Sequence, residues 1–190
     1  FQPWQPPGDQ LIKMNFVEVT PEPLSLDRIH QLVVDPTCGA VCHFVGTTRD
    51  SFEGREVVRL EYEAYEEMAR KEMLAICLQA RQRWSCLRHL AIYHRTGLVP
   101  VGEASIIIAV SSPHRSEAIK AVEFAINAAK ATVPVWKKEI YAGDQPPQWK
   151  VNAECQWAGT AAASAGADKP ASPGEAASSA GGARPANGHA

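Results

Sequence analysis

The C-terminal part of the chain lacks the residues needed for a hydrophobic core, and this confines the fold to what precedes it. From Ala158 to Ala190 the sequence is almost entirely Ala, Gly, Ser and Pro, and it contains no Val, Ile, Leu, Phe or Trp. Such a segment cannot bury enough apolar surface to offset the entropy lost when a chain is ordered. We therefore expect a disordered tail over residues 158–190, and the fold must come from Phe1 to Trp157.

The N-terminal segment is also a poor candidate for a core, because Phe1 to Gly8 is rich in proline. We predict a flexible arm over residues 1–12 and a single folded domain over residues 13–157. That length is sufficient for one domain with a substantial core.

The charge balance and the cysteines exclude several classes of protein. The net charge is −2, so the basic excess typical of nucleic-acid binders is missing, and an anionic ligand would need a local cluster of cations. No apolar run reaches the roughly 18 residues of a membrane span, and none resembles a signal peptide. The five cysteines form no C-x-x-C pair and no zinc-like spacing. We expect reduced thiols, no metal site, no cofactor and a cytosolic location.

Alternating and continuous apolar patterns predict six strands, and helical spacing predicts three helices. The strands are predicted at residues 13–20, 39–46, 58–65, 87–95, 104–110 and 135–141. A short helix follows Ser25 and stops at Pro36, and two long amphipathic helices cover residues 66–84 and the stretch from Ser112 to Pro134. Residues 47–54 and 96–103 are predicted as a loop and a turn. Because strands and helices mix without regular βαβ alternation, the fold class is α+β.

The start of the second long helix is a candidate anion site. Ser112 followed by Pro113 is a typical N-cap and first helical residue, which places His114 and Arg115 in the first turn. The free N–H groups there attract anions, and the guanidinium of Arg115 suits a phosphate. The alternative is that both are ordinary solvated residues.

Two lysines and one arginine are further candidates, each with an ordinary alternative. Lys137 lies in a strand among Trp and Val, in a half-buried position where an amine can take part in acid–base chemistry, although it could equally extend past its neighbours into water. Lys130 lies on the polar stripe of the second long helix, where a lysine is usually just solvated, and the sequence alone gives no reason to prefer it. Arg49 lies in a loop after a buried strand, where ligand contacts are common, although an exposed arginine is common there too.

The sequence alone does not decide the roles of a second His-Arg pair and of the cysteines. His94 and Arg95 repeat the His-Arg pair at a strand end, through function or coincidence. Cys42 and Cys77 lie in apolar surroundings and are predicted to be core. No cysteine has an evident base beside it, so a thiol nucleophile is weakly supported.

Taken together, these motifs resemble the large-subunit family of molybdopterin synthase, closest to its eukaryotic cytosolic form. The matching segments cover about Asn15 to Trp157 and read, in order, Gly46-Thr-Thr-Arg49, Leu60-Glu-Tyr-Glu-Ala-Tyr65, His94-Arg95-x-Gly97, Ser111-Ser-Pro-His-Arg-Ser116 and Lys130-Ala-Thr-Val-Pro-Val-Trp-Lys-Lys-Glu139. Pro113 departs from the small residue expected there, and it fits a first helical position.

The resemblance implies an α/β-hammerhead fold with mixed and antiparallel sheets, and a sulfurtransferase of molybdenum cofactor biosynthesis. It implies a homodimer within a heterotetramer, flanked by two small ubiquitin-like subunits. Each small subunit would deliver sulfur from a C-terminal Gly-Gly thiocarboxylate to cyclic pyranopterin monophosphate, forming a dithiolene. By the same resemblance, Lys130 and Lys137 are catalytic. The residues expected to line the substrate site are Arg49, His114, Arg115, Lys130, Lys137, Lys138 and Glu139.

Spacing adds a constraint on this site. Arg115 and Lys130 are fifteen residues apart on one predicted helix, or about 22 Å, which is too far for one pterin to touch both. We therefore expect each site to be shared between two copies of the chain. The rival interpretations are a non-catalytic scaffold that binds a ubiquitin-like tail or an anion, and an enzyme that uses its own cysteine.

Overall fold

The computed structural model describes residues 13–143 and 146–150. The predicted arm at residues 1–12 and the predicted tail at residues 158–190 lie outside the described residues, as does the end of the predicted domain at residue 157. Those domain boundaries therefore stay predictions.

The described residues form nine strands and three helices. In chain order these are β1 (Met14–Thr20), α1 (Leu26–Val33), β2 (Ala40–Thr47), β3 (Ser51–Phe52), β4 (Arg55–Ala64), α2 (Glu66–Arg83), β5 (His89–Arg95), β6 (Gly97–Pro100), β7 (Ala104–Ser112), α3 (Arg115–Thr132), β8 (Val135–Tyr141) and β9 (Gln148–Lys150). The predicted α+β class and the two long helices are confirmed.

The first sheet is mixed and has the strand order β1-β5-β7-β2. β1 runs parallel to β5, whereas β7 pairs antiparallel with both β5 and β2. β7 carries a continuous apolar run because it is covered on both faces. Ile108 and Val110 face the larger core under α2 and α3, and Ile107 and Ala109 face a smaller core under α1.

The long helices bury the faces that their apolar spacing predicts. In α2, Met73, Ile76 and Cys77 are almost fully buried, and in α3 the buried stripe consists of small residues such as Ala121 and Ala125. Small side chains let α3 approach the first sheet closely. In α1, Ile29 and Val33 are buried, whereas Leu26 remains 42% exposed.

The second sheet has the path β3-β4-β8-β9, with β6 paired to β4 on the other side. All of its pairs are antiparallel. The predictions of a loop at residues 47–54 and a turn at residues 96–103 were therefore wrong in part, because β3 and β6 lie there. Both strands are too short to show a periodic pattern, and their pairing with β4 stabilises them.

Two local predictions were wrong at strand ends: that the apolar face of the strand at residues 58–65 begins with Val58, and that Ser112 caps the second long helix. β4 has a register shift between Val57 and Arg59, so Val57 is buried and Val58 is 47% exposed, as expected at a β-bulge. Ser112 is not the N-cap of α3: it is the last residue of β7 and fully buried, and His114 is the N-cap without a side-chain hydrogen bond. The pairing of Ser112 with Ala40 of β2 extends the strand beyond its apolar run.

Candidate functional site

The main cavity lies between the two sheets and the C-terminal end of α3. Its volume is about 490 Å³. Apolar residues form part of the lining, and its polar groups come from β2, β4, β5, β7, α3, β8 and β9. The lining side chains that the site chemistry involves are Phe52, Tyr62, His94, Ser105, Lys130, Lys137 and Lys150.

Lys130 and Lys137 both line this cavity although they belong to different elements. Lys130 lies in the last turn of α3 and is exposed at the edge of the cavity. Lys137 lies in β8, and its side chain is 37% exposed. The link between the two elements is short because Pro134 ends the helical segment. The tight turn from helix to strand therefore brings two ammonium groups to one concave surface.

Glu139 is a buried carboxylate that organises the cations beside it. It is 3% exposed and lies two residues beyond Lys137, on the same face of β8. Its Oε1 is 3.6 Å from Nζ of Lys137, and its Oε2 is 3.9 Å from Nζ of Lys150. The Tyr141 hydroxyl donates a hydrogen bond to Oε2 at 2.5 Å. A buried carboxylate needs such partners, so Glu139 fixes the positions of both amines.

The two tyrosines near Glu139 stay protonated at physiological pH. Burial and the hydrogen bond to Glu139 raise the pKa of Tyr141 to about 12. Burial raises the pKa of Tyr62, and the charge of Glu139 adds to that shift. Both hydroxyls are consequently proton donors at neutral pH.

His94 is a neutral imidazole at the cavity wall. Burial lowers its pKa to about 4, and its ring packs edge-on against Tyr62 at 5.1 Å. Nδ1 lies 2.8 Å from the carbonyl oxygen of Arg95, so Nδ1 carries the proton and donates it in a hydrogen bond. Nε2 then keeps its lone pair as an acceptor. His94, whose role the sequence left open, is therefore a lining residue of the main cavity.

Arg95 is not part of the cavity, because its side chain pairs with Glu103 at 2.5 Å. Arg49 and Lys138 also lie beside the cavity, not in its lining. Arg49 is exposed and its guanidinium stacks 5.7 Å from the ring of Phe52, a lining residue. Lys138 alternates with Lys137 along β8, and its amine lies 5.7 Å from the ring of Trp149.

His114 and Arg115 lie at the opposite end of α3 from Lys130. Both are exposed and line a second, more open cavity with Ser116, Ile119 and Lys120. The backbone before them is held close to β2, because the N–H of Gly39 donates to the carbonyl of Pro113 at 3.3 Å. A Cβ at position 39 would come within 2.9 Å of that oxygen, so only glycine fits. The predicted site residues therefore fall into two groups within one chain.

Lys150 is the main cavity residue that sequence reasoning missed. It lies in β9, a three-residue strand after the last predicted one, directly opposite Lys137. The sequence did carry a signal, because the turn former Gly143 precedes the Trp149-Lys150 pair, and such a pattern favours a hairpin. In the structure, Gly143 has a positive φ of 73°.

The described residues contain no cluster of three or more His, Cys, Asp or Glu side chains placed to hold a metal ion. Cys38, Cys42, Cys77 and Cys86 have free thiols, and none of the four lines the main cavity. Cys77 is fully buried, and burial raises its pKa to about 12, which confirms it as core. Cys42 is partly buried against the larger core. No helix in the described part of the chain has the length and apolarity to cross a membrane.

Comparison with known sequences gives a consistent family. A model of the family described as MoaE protein matches residues 19–132. Proteins named molybdopterin synthase catalytic subunit are 54% identical over 144 residues in Taeniopygia guttata, covering 76% of this chain and 92% of that protein, and 51% identical over 160 residues in Bos taurus, covering 82% and 84%. A Drosophila mojavensis protein of the same name is 54% identical over 144 residues, and the chain spans only 39% of that protein's length.

Solved structures share the fold. Molybdopterin synthase from Staphylococcus aureus superposes with a TM-score of 0.67 at 35% identity, covering 70% of this chain and 96% of that one. A complex of subunits 1 and 2 of molybdopterin-converting factor from Helicobacter pylori contains a chain that matches with a TM-score of 0.54 at 21% identity, covering 69% and 91%. At that identity, the second match shows a common fold alone.

Proposed function

This chain belongs to the MoaE protein family, and from that premise we propose that it is the catalytic subunit of a molybdopterin synthase. The reaction is the transfer of sulfur from the C-terminal thiocarboxylate of a small ubiquitin-like carrier to cyclic pyranopterin monophosphate. Two transfers give the dithiolene of molybdopterin. The names of the Taeniopygia guttata and Bos taurus relatives support this assignment.

The observation that carries the proposal is the convergence of Lys130 and Lys137 on one cavity. The reaction involves an anionic carrier terminus and an anionic pterin, so the site must supply positive charge. In this chain the two ammonium groups come from α3 and β8, with the buried carboxylate of Glu139 fixing the second one. Lys130 is exposed at the edge of this cavity and Lys137 is partly buried in its wall, so both ammonium groups can reach an anionic ligand.

The lysines act on charge that develops during the transfer. The thiocarboxylate sulfur displaces an oxygen substituent from a carbon of the pterin side chain, and that oxygen leaves as a phosphate ester oxygen or as water. The product is a thioester between carrier and pterin. Water then attacks the acyl carbon and breaks the acyl carbon–sulfur bond, so the sulfur stays on the pterin and the carrier leaves as a carboxylate. Lys130 and Lys137 stabilise the negative charge of these steps and exchange protons with the reacting groups. Arg49, Lys138 and Glu139 complete the charge distribution around the cavity.

The phosphate of the pterin is bound by His114 and Arg115 of the second copy in a homodimer. The start of α3 presents backbone N–H groups without a side-chain cap, which favours an anion. In one chain this end is about 22 Å from Lys130. A site that uses both groups must therefore combine the α3 start of one copy with the cavity of the other.

The sulfur comes from a partner, which fits the absence of any described cysteine from the cavity lining. The partner is the small carrier with a Gly-Gly terminus, and two carriers flank the dimer in a heterotetramer. The complex of subunits 1 and 2 from Helicobacter pylori is a precedent for such an assembly within the fold. We place the enzyme in the cytosol and its folded domain at residues 13–157.

The test is reconstitution with the full chain, thiocarboxylated carrier and cyclic pyranopterin monophosphate. The dithiolene product is detected by mass spectrometry or after oxidation to a fluorescent pterin. Carrier that ends in an ordinary carboxylate is the control and yields no product. Absence of product with thiocarboxylated carrier, when a related synthase is active in the same mixture, would refute the function.

A further inference from the structure

We propose that Lys150 is a third oxyanion-binding residue of the cavity, held in place with Lys137 by the shared carboxylate of Glu139. This inference deepens the proposed function and rests on it for the identity of the anion. The oxyanion is either the carboxylate-type terminus of the carrier or the phosphate of the pterin.

Sheet register places the Lys150 side chain in the cavity. β8 and β9 are antiparallel, with Lys150 directly opposite Lys137 and Gln148 opposite Glu139. Directly opposite residues project to the same face of a sheet, so both lysines share the face of Glu139. Both also line the main cavity.

Two lysines directly opposite each other repel, and such a pair destabilises a sheet. Here the repulsion is offset by Glu139, whose two oxygens lie 3.6 Å from Lys137 and 3.9 Å from Lys150. One carboxylate shared by two cations leaves positive charge over, and this suits the binding of an anion.

Further contacts hold the Lys150 amine at the cavity wall. Its Nζ is 4.6 Å from the ring centroid of Phe52 and 3.8 Å from Oε2 of Glu53. The lysine side chain is 21% exposed, whereas Glu53 is 64% exposed and also pairs with Arg55 at 3.4 Å. These contacts position the amine without enclosing it.

The ion pairs around Lys150 carry a net positive charge. The cations of Lys137, Lys150 and Arg55 are accompanied by the carboxylates of Glu139 and Glu53. A partly desolvated cluster with excess positive charge attracts an oxyanion more strongly than the same charges in water do. A ligand that brings one negative charge would balance it.

Direct binding to the full chain tests the role of Lys150. The two probes are inorganic phosphate and a peptide that ends in a Gly-Gly carboxylate, each titrated by calorimetry into wild type, Lys150→Met and Lys150→Arg. We expect Lys150→Met to weaken one probe about tenfold, the effect of a lost charge-assisted hydrogen bond, and Lys150→Arg to retain most of the affinity. The probe whose affinity falls identifies the source of the oxyanion. The matched control is Lys71→Met, which removes a lysine that is 69% exposed on α2 and should leave both affinities unchanged.

A second variant keeps the proposal falsifiable where Lys150→Met is unstable. Glu53→Gln removes a mostly exposed carboxylate beside Lys150, and we expect it to tighten the same probe by about twofold to threefold. In turnover, Lys150→Met should raise KM for the matching substrate while the melting temperature stays near wild type. Unchanged affinities in both variants, with only the melting temperature altered, would show that Lys150 makes a structural ion pair and overturn the proposal.

The binding and turnover measurements separate two kinds of failure. If wild type makes no dithiolene product but Lys150→Met still weakens a probe, the proposed function fails and the oxyanion site stands. If wild type is active and neither Lys150→Met nor Glu53→Gln changes binding or KM, the function stands and the role of Lys150 is wrong.

Discussion

Arg115 and Lys130 lie on the same helix, α3, but line two separate cavities, one at each end. Fifteen residues of helix separate them, which corresponds to about 22 Å. A small pterin monophosphate cannot bridge that distance. Whether one site uses residues of one chain or of two can therefore be tested by experiment.

Mixing two inactive variants tests whether the site is shared. A dimer that pairs a Lys130→Ala chain with an Arg115→Ala chain has one site with both defects and one site with neither. Random pairing should therefore restore about a quarter of wild-type turnover, because half of the dimers are mixed and each has one intact site. The measurement is product formation after unfolding and refolding the mixture.

The control for this experiment is a mixture of Lys130→Ala with Lys137→Ala, which lie in the same cavity of one chain. Both sites of that mixed dimer stay defective, so no activity should return. Activity restored to equal extents in both mixtures, or in neither, would contradict a site shared in this way.

Lys130→Ala and Lys137→Ala should each lower product formation by a factor of about a hundred or more, because each removes a charge that stabilises the transition state. Dimerisation and carrier binding should be retained, since neither lysine is part of the buried core. Turnover is measured with thiocarboxylated carrier, and assembly by light scattering. Lys71→Ala is the matched control, and near-wild-type turnover in both cavity variants would refute the assignment.

Glu139→Gln should loosen Lys137 and Lys150 together. The loss of a buried carboxylate leaves two cations near a neutral amide, and we expect a cost of about 1–3 kcal/mol in the free energy of unfolding, limited because both amines can turn toward water. Because the hydrogen bond and the charge of Glu139 raise the pKa of Tyr141, that pKa should fall in the variant.

The titration of Tyr141 is followed by ultraviolet absorbance, with the spectrum of Tyr141→Phe subtracted. Leu60 lies opposite Glu139 in the sheet, so Leu60→Val is a control that perturbs the same region without changing charge. An unchanged Tyr141 titration in Glu139→Gln would contradict the contact between the two side chains.

Stability should decrease as the pH falls from about 6.5 to about 4, in part because of His94. Its pKa of about 4 in the folded state lies below the ordinary value near 6.5, so the unfolded chain binds the proton first. The stability from the neutral ring is complete above pH 6.5 and is lost by about 1.4 kcal/mol per pH unit within that window. The pKa values of His43 and His89 are lowered as well, with the same sign.

Urea unfolding at pH 7 and pH 5 measures this effect. His94→Gln should be less sensitive to that change of pH than wild type, while His114→Gln, at an exposed position, should behave as wild type does. Equal pH dependence in wild type and His94→Gln would show that the ring is not held neutral by burial.

Local patterns predicted the long elements because each follows from short-range chemistry. The helical spacing of Met73, Ile76 and Cys77 required one buried face, and the face is buried as predicted. The unbroken apolar run of β7 required cover on both sides, and two cores supply it. The quoted motifs carried the resemblance to the family, which the family model supports.

Elements that depend on distant partners escaped prediction. β3, β6 and β9 are too short for a periodic pattern and exist through pairing with β4 or β8. The end of β7 at Ser112 depends on its pairing with β2, so a local N-cap pattern gave the wrong helix start. The bulge at Val58 also depends on a distant partner, because it arises where β4 pairs with β8, and it leaves Val58 exposed.

By itself, the sequence determined the long helices and strands, the apolar faces of the long helices, and that one helix is too long for Arg115 and Lys130 to meet. Those properties depend on neighbouring residues and on fixed helix geometry. The tertiary structure alone decided which charges share a cavity: it brought Lys150 opposite Lys137, placed the carboxylate of Glu139 between them and buried His94 at the wall. Such contacts join residues far apart in the chain, and only the pairing and packing of the whole fold specify them.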